Sequence, residues 1–71
     1  MKANEYLAPF IFRANEAAES IGKVVYFQIV RRNGALDLMD EESEKFHARG
    51  NARELGSYLL GYAKALESIQ N

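Results

Sequence analysis

Apolar residues recur through the first part of the chain at intervals of three and four, which places them on one face of a helix. Asn4 is a residue type that caps helices, but Pro9 would then fall inside the helix and cost a backbone hydrogen bond. The alternative is a start nearer Leu7, or a kink. Gly22 is the expected end, because glycine adopts the left-handed conformation that terminates helices. The residues of the apolar stripe are Tyr6, Leu7, Phe10, Ile11, Ala14, Ala17, Ala18 and Ile21.

A strand, a tight turn and a second strand are predicted next. Residues 23–31 are dense in β-branched and aromatic side chains, which favour a strand. Asn33 and Gly34 follow as the dipeptide most typical of a two-residue hairpin turn. The returning segment from Ala35 to Met39 is short and alternates only loosely between apolar and polar positions. We therefore expect it to be the weaker strand.

The pattern of acidic and apolar side chains in residues 41–70 predicts helical structure. Asp40 precedes a run of glutamates, and negative charge suits a helix N-terminus, so a helix is expected from about Glu41. Asn51 and Glu54 have the spacing of a capping box, which predicts a break or kink just before them. The pattern leaves open whether this region forms one helix or two. Its apolar stripe consists of Leu55, Tyr58, Leu59, Tyr62, Leu66 and Ile69.

These elements predict an α+β fold: a helix, a two-stranded antiparallel hairpin, then one long or broken C-terminal helical region, in a single domain over residues 1–71. The chain is 48% hydrophobic and 27% charged, a composition typical of a folded protein. It has no cysteine, which excludes disulfides and thiolate metal sites and fits a reducing compartment. We find neither a membrane-spanning run nor a signal peptide, so we expect a cytoplasmic protein with no membrane partner.

The first strand is apolar on both of its faces. Alternation places Val25, Phe27 and Ile29 on one side and Val24, Tyr26 and Val30 on the other. Two helices can cover one face of a hairpin, so the second face needs another chain. We expect this chain to be a second copy, which makes a homodimer, or else a different protein. The second face needs no partner if the helices wrap around both faces, or if Tyr26 and Val30 simply stay at the surface.

Two tyrosines and two glycines of the last helix also bear on whether another chain packs against this protein. Tyr58 and Tyr62 lie one turn apart and combine an apolar ring with a polar tip, which suits a half-buried interface shared with Tyr26 and Val30. The alternative is packing at the edge of the core. Gly56 and Gly61 are costly within a helix, which indicates a close approach of helices or a groove for a partner's side chain.

Catalytic and metal-binding patterns are weak. The single histidine, His47, has no nucleophile at a spacing that brings the two together. Glu44 and His47 have the i, i+3 spacing of a helical metal pair, but such sites need further inward carboxylates. We therefore predict no catalytic residues, no cofactor and no metal.

The net charge is only −1, which excludes a general nucleic-acid binder. Charge is nevertheless distributed in blocks along the chain. Arg31 and Arg32 adjoin the hairpin tip, from which a β-ribbon can contact phosphates, and Arg49 and Arg53 would be expected to join them. The alternative is that these arginines only keep the strand end soluble. Residues 37–45 carry five acidic side chains and one basic one, which would attract a basic partner.

The sequence therefore predicts a small non-enzymatic protein-interaction module of the accessory, adaptor or inhibitor type. It would act as a homodimer that occludes or bridges a macromolecular partner. The alternative is a nucleic-acid-associated regulator that uses Arg31 and Arg32 at the hairpin tip.

Overall fold

The computed structural model describes residues 2–69, which form two helices and one antiparallel sheet. The strand order is β1-β2-β3. The elements in chain order are α1 (Ala3–Ser20), β1 (Phe27–Arg32), β2 (Ala35–Asp40), β3 (Phe46–Gly50) and α2 (Ala52–Ile69). The sheet has three strands, so the predicted two-stranded hairpin is wrong. The predicted C-terminal helical region is confirmed over Ala52–Ile69, but its expected start at Glu41 is wrong. Neither described helix is long and apolar enough to cross a membrane.

Residues 41–50 form a turn and a strand where a helix was expected. The Asp40 carboxylate accepts a hydrogen bond from the backbone N–H of Glu42 at 2.9 Å, which closes an Asx turn. Glu44 then adopts a positive φ of 58°, and the Lys45 carbonyl accepts a hydrogen bond from the Asp40 N–H at 2.8 Å. Acidic side chains suit both a helix start and a tight turn. Pairing of the following segment with β2 selects the turn.

The first helix begins earlier than its cap signal suggested. Lys2 is its N-cap and makes no capping hydrogen bond through its side chain, so neither the Asn4 cap nor the alternative start nearer Leu7 is correct. The helix continues through Pro9 to Ser20. The predicted stop at Gly22 is confirmed: Gly22 directly follows the C-cap Ile21 with a φ of +80°, and the N–H of the next residue bonds to the Ala18 carbonyl at 2.9 Å.

The predicted hairpin turn is confirmed. Asn33 and Gly34 have φ values of 49° and 79°, the left-handed pair that a type I′ turn requires. The expectation that the returning strand is the weaker one is wrong, because β2 is the central strand and pairs with both neighbours. Its side chains Leu36 and Leu38 belong to the core.

The second helix is a single helix with the predicted capping box. The Asn51 side-chain oxygen accepts from the Glu54 N–H at 2.8 Å, and the Glu54 carboxylate accepts from the Asn51 N–H at 3.0 Å. The helix therefore starts at Ala52 and continues to Ile69.

The two helices lie side by side, run in the same direction and pack on one face of the sheet. A Cβ added at Gly56 would lie 3.3 Å from the Tyr6 ring, and Arg13 forms an ion pair with Glu67 at 2.8 Å further along both helices. The close approach predicted from the glycines is therefore found at Gly56. At Gly61, no described side chain or neighbouring element lies within 4 Å of an added Cβ. The fully buried side chains of the core include Leu7, Leu38, Leu55 and Leu59.

Candidate functional site

The sheet has one covered face and one open face. Cross-strand pairing places Phe27, Ile29, Leu36, Leu38 and Ala48 on the same side. All five belong to the hydrophobic core or pack against it, together with residues of both helices. Both helices therefore lie on this side, which we call the covered face.

The open face is the opposite side of the same three strands. Tyr26 extends it by one position beyond β1, because its carbonyl accepts a hydrogen bond from the Glu41 N–H at 2.7 Å and continues the ladder. Alternation places Tyr26 and Glu41 on this side. The strand residues of the open face are Gln28, Val30, Arg32, Ala35, Asp37, Met39, Phe46 and Arg49.

Apolar side chains cross the middle of the open face. Phe46 is 53% exposed and Tyr26 is 45% exposed, while Val30 and Met39 are half-buried. Gln28 pairs with Met39, and Met39 pairs with Phe46, so one row spans all three strands. Exposed aromatic side chains such as Tyr26 and Phe46 are typical of protein interfaces.

Asp37 lies at the centre of the open face and yet its side chain is only 2% exposed. Two arginine side chains cover it. Arg49 donates from Nε to Oδ1 at 2.6 Å and from Nη2 to Oδ2 at 3.2 Å, and Arg32 approaches Oδ2 to 3.8 Å. The hydrogen bonds from Arg49 hold the pKa of Asp37 below its usual value, although burial acts in the opposite direction. The carboxylate thus fixes the Arg49 guanidinium by two hydrogen bonds and attracts Arg32 by charge.

The two ends of the open face carry opposite charge. Arg32 and Arg49 lie at the hairpin-tip end. Glu41, Glu42 and Glu44 lie in the turn between β2 and β3 at the other end, where all three are exposed. Lys45 is the cation within that turn.

The predicted interface residues fall on two different sides of the molecule. Tyr26 and Val30 are on the open face, as the alternation predicted. Tyr62 lies on the helical side, with its ring edge-on to Phe27 at 5.2 Å, and burial raises the pKa of its hydroxyl. Tyr58 is on the same side, with its ring 6.5 Å from that of His47. The structure therefore does not bring the four residues into one surface.

The two arginines of the hairpin tip also separate. Arg31 pairs with Leu36 on the side of the covered face, whereas Arg32 lies beside Asp37 on the open face. Both are exposed. They share this end of the molecule with Lys2, which lines one cavity with Arg31, and with Arg53 in the first turn of α2.

His47 packs against the core from β3. It is the extra residue of a bulge in β3, and its ring packs edge-on against Phe27 at 4.8 Å. Its Nε2 is buried and has no hydrogen-bond partner within the described chain, and burial lowers its pKa. Glu44 lies in the preceding turn, so the two do not share a helix face. Residues 2–69 contain no cluster of three His, Cys, Asp or Glu suited to a metal.

Sequence reasoning did not place Phe46 and Arg49 on the open face, because the segment that forms β3 was expected to be helical. A usable signal was present. Only residues 45–50 lie between the acidic run and the start of the capping box at Asn51, a length that is enough for a strand but short for a helix. No protein-family model, curated protein or solved structure matches this chain.

Proposed function

We propose that this protein is a small interaction module without catalytic activity, which self-associates through the open face and occludes or bridges a macromolecular partner. The observation that carries the proposal is the open face itself: Tyr26 and Phe46 are about half exposed there while both helices pack on the other side. Exposed aromatic side chains beside half-buried aliphatic ones favour burial against another chain. We place its action in the cytoplasm, since a chain without cysteine suits a reducing compartment.

The size of the open face sets the strength of self-association. Three strands of about six residues give a footprint of roughly 14 by 20 Å, or roughly 300 Å². Stable complexes bury about 800 Å² on each partner, so we expect a dimer that dissociates at micromolar or higher concentration. Such a dimer can exchange its second copy for a different partner.

Self-association through the open face leaves the helical side of each copy exposed. Tyr58 is 38% exposed there, and Tyr62 is half-buried beside it. These two tyrosines stay our prediction for contact with the macromolecular partner. A dimer with two such sides suits a bridging role.

The arrangement around His47 supports the absence of catalysis in this proposal. A general base has to reach a reacting group, but the His47 ring packs on Phe27 and its Nε2 is buried. Its lowered pKa follows from burial, and the charge of Lys45 adds to the effect. Neither effect comes from a carboxylate paired with the imidazole.

The test is sedimentation velocity over a concentration series, with the fold of each variant checked by circular dichroism. Phe46→Gln removes the most exposed aromatic ring of the open face and should weaken the dimer about tenfold or more. Phe12→Gln is the matched control, because Phe12 is 64% exposed on α1, away from this face. A monomeric wild-type protein at millimolar concentration, or equal effects of the two variants, would refute self-association through the open face.

A second candidate function is association with nucleic acid, favoured by the cations that gather at the hairpin-tip end. These are Lys2, Arg31, Arg32, Arg49 and Arg53. Replacing Arg31 and Arg32 with alanine should then reduce retention on nucleic acid at low salt and flatten the salt dependence of binding. Unchanged retention would reject this function.

A further inference from the structure

We infer that the occupant of the open face is a second copy of this chain docked with its strands antiparallel, so that the hairpin tip of each copy lies on the acidic turn of the other. The inference rests on the proposed function and adds the geometry of the interface. The order of charges and aromatic rings along the strands supports it.

The tip end of the open face is positive. The Arg32 and Arg49 side chains are both more than half exposed, and the carboxylate beneath them, Asp37, is 2% exposed. Two cations therefore share one buried anion, and the surface that a partner meets is cationic. Because Arg49 donates hydrogen bonds to Asp37 from two nitrogens, its guanidinium is held in a fixed orientation.

The turn end of the open face is negative. Glu41 continues the ladder opposite Tyr26, which places it on the open face, and Glu42 and Glu44 are exposed beside it. Lys45 offsets only part of this charge. The two ends are about 20 Å apart, because each residue of an antiparallel strand rises about 3.4 Å. This separation exceeds the Debye length of about 8 Å at physiological salt, so the two ends do not neutralise each other.

Symmetry then decides how two such faces meet. A two-fold axis parallel to the strands would set tip on tip and turn on turn, which places like charges together. A two-fold axis perpendicular to the strands sets each tip on the opposite turn. Only the second arrangement pairs Arg32 of one copy with the Glu41 end of the other.

The same operation also matches the aromatic rings with the arginines. A perpendicular axis lays β1 over β1 and β3 over β3 with their directions reversed. Tyr26 then meets Arg32 of the other copy, and Phe46 meets Arg49. A guanidinium that meets an aromatic ring forms a favourable cation–π pair.

The test uses charge reversal at both ends. Arg32→Glu and Glu41→Lys should each weaken the homodimer about tenfold, because each places like charges together twice per dimer. Mixing the two variants should restore affinity, since the heterodimer again has a contact between opposite charges at each end. Native mass spectrometry of one isotope-labelled and one unlabelled variant measures the heterodimer directly. Arg31→Glu is the matched control: it makes the same charge change on the other side of β1 and should leave affinity unchanged.

Two results would overturn the inference. If the mixture of Arg32→Glu and Glu41→Lys forms no more dimer than each alone, the tip does not meet the turn. If Arg32→Glu instead binds wild-type protein more tightly than wild-type protein binds itself, the tips face each other. Either result, with Phe46→Gln still weakening the dimer, rejects the antiparallel docking and leaves the proposed function standing. A wild-type protein that stays monomeric overturns both.

Discussion

Replacing Gly61 with alanine should stabilise this protein, and the reason lies in its surroundings. Gly61 lies within α2, where glycine costs about 1 kcal/mol relative to alanine. No described side chain or neighbouring element lies within 4 Å of the added Cβ, so the new methyl group opposes no packing. The full gain in helix propensity, about 1 kcal/mol, should therefore appear in the free energy of unfolding. For a domain of this size it corresponds to a rise in Tm of about 4–8 °C.

Gly56→Ala is the matched control in the same helix. The backbone gain is equal, but here the new Cβ would lie 3.3 Å from Cε1 of Tyr6 and 3.6 Å from Cε2 of Phe10. Overpacking of this kind costs about 1–3 kcal/mol, which offsets or exceeds the gain. We therefore expect Gly56→Ala to be neutral or destabilising, and less stable than Gly61→Ala by about 1–3 kcal/mol.

Urea denaturation followed by circular dichroism measures both variants. The protein should be kept dilute, because self-association raises the apparent stability of the native state. A Gly61→Ala variant that is destabilised would refute the reasoning, since it would mean that the outer surface of α2 is occupied at this position. Equal stabilisation by both variants would refute the close contact between α1 and α2 at Gly56.

Three further predictions concern charge and capping. The pKa of Asp37 is lowered in the folded state, so its contribution to stability is present above the ordinary aspartate pKa of about 3.9 and is lost as pH falls through the lower folded value. Asp37→Asn should flatten the decline in Tm between neutral and acid pH. The pKa of His47 is also lowered in the folded state, so the stability of the protein should fall as pH drops below the ordinary histidine pKa of about 6.5. His47→Phe should abolish this part of the pH dependence. An NMR titration that gives His47 a pKa at or above about 6.5 would contradict the prediction. Asn51→Ala removes the side-chain acceptor of the Glu54 N–H and should cost about 1 kcal/mol in urea denaturation, whereas no loss would contradict the capping box.

The sequence predicted those parts of the fold that depend on a few neighbouring residues. The helix end at Gly22 and the turn at Asn33 and Gly34 each need a positive φ, which glycine and asparagine adopt readily. The capping box at Asn51 is likewise closed by hydrogen bonds across three residues. Signals of this kind can be recognised without knowing what lies across the molecule.

Local sequence does not determine that Phe46–Gly50 forms the third strand. Asp40 and the glutamates after it suit a helix start and an Asx turn about equally, and the choice follows from pairing of β3 with β2. The residues of the open face likewise differ in whether local sequence predicts their position. Alternation along β1 predicted that Tyr26 and Val30 share one face, whereas Phe46 joins them only through the register of a neighbouring strand.

The side-by-side packing of α1 and α2 also governs when this protein can fold during its synthesis. The first described element and the last one cover each other, and the ion pair between Arg13 and Glu67 joins residues 54 positions apart. While the ribosome is still adding α2, Leu7 and the other core residues of α1 have no helix to pack against. The hairpin of β1 and β2 can form early, but the core closes only after α2 has left the exit tunnel. Folding is therefore completed after α2 has been synthesised, and nascent chains expose an apolar helix that chaperones can bind.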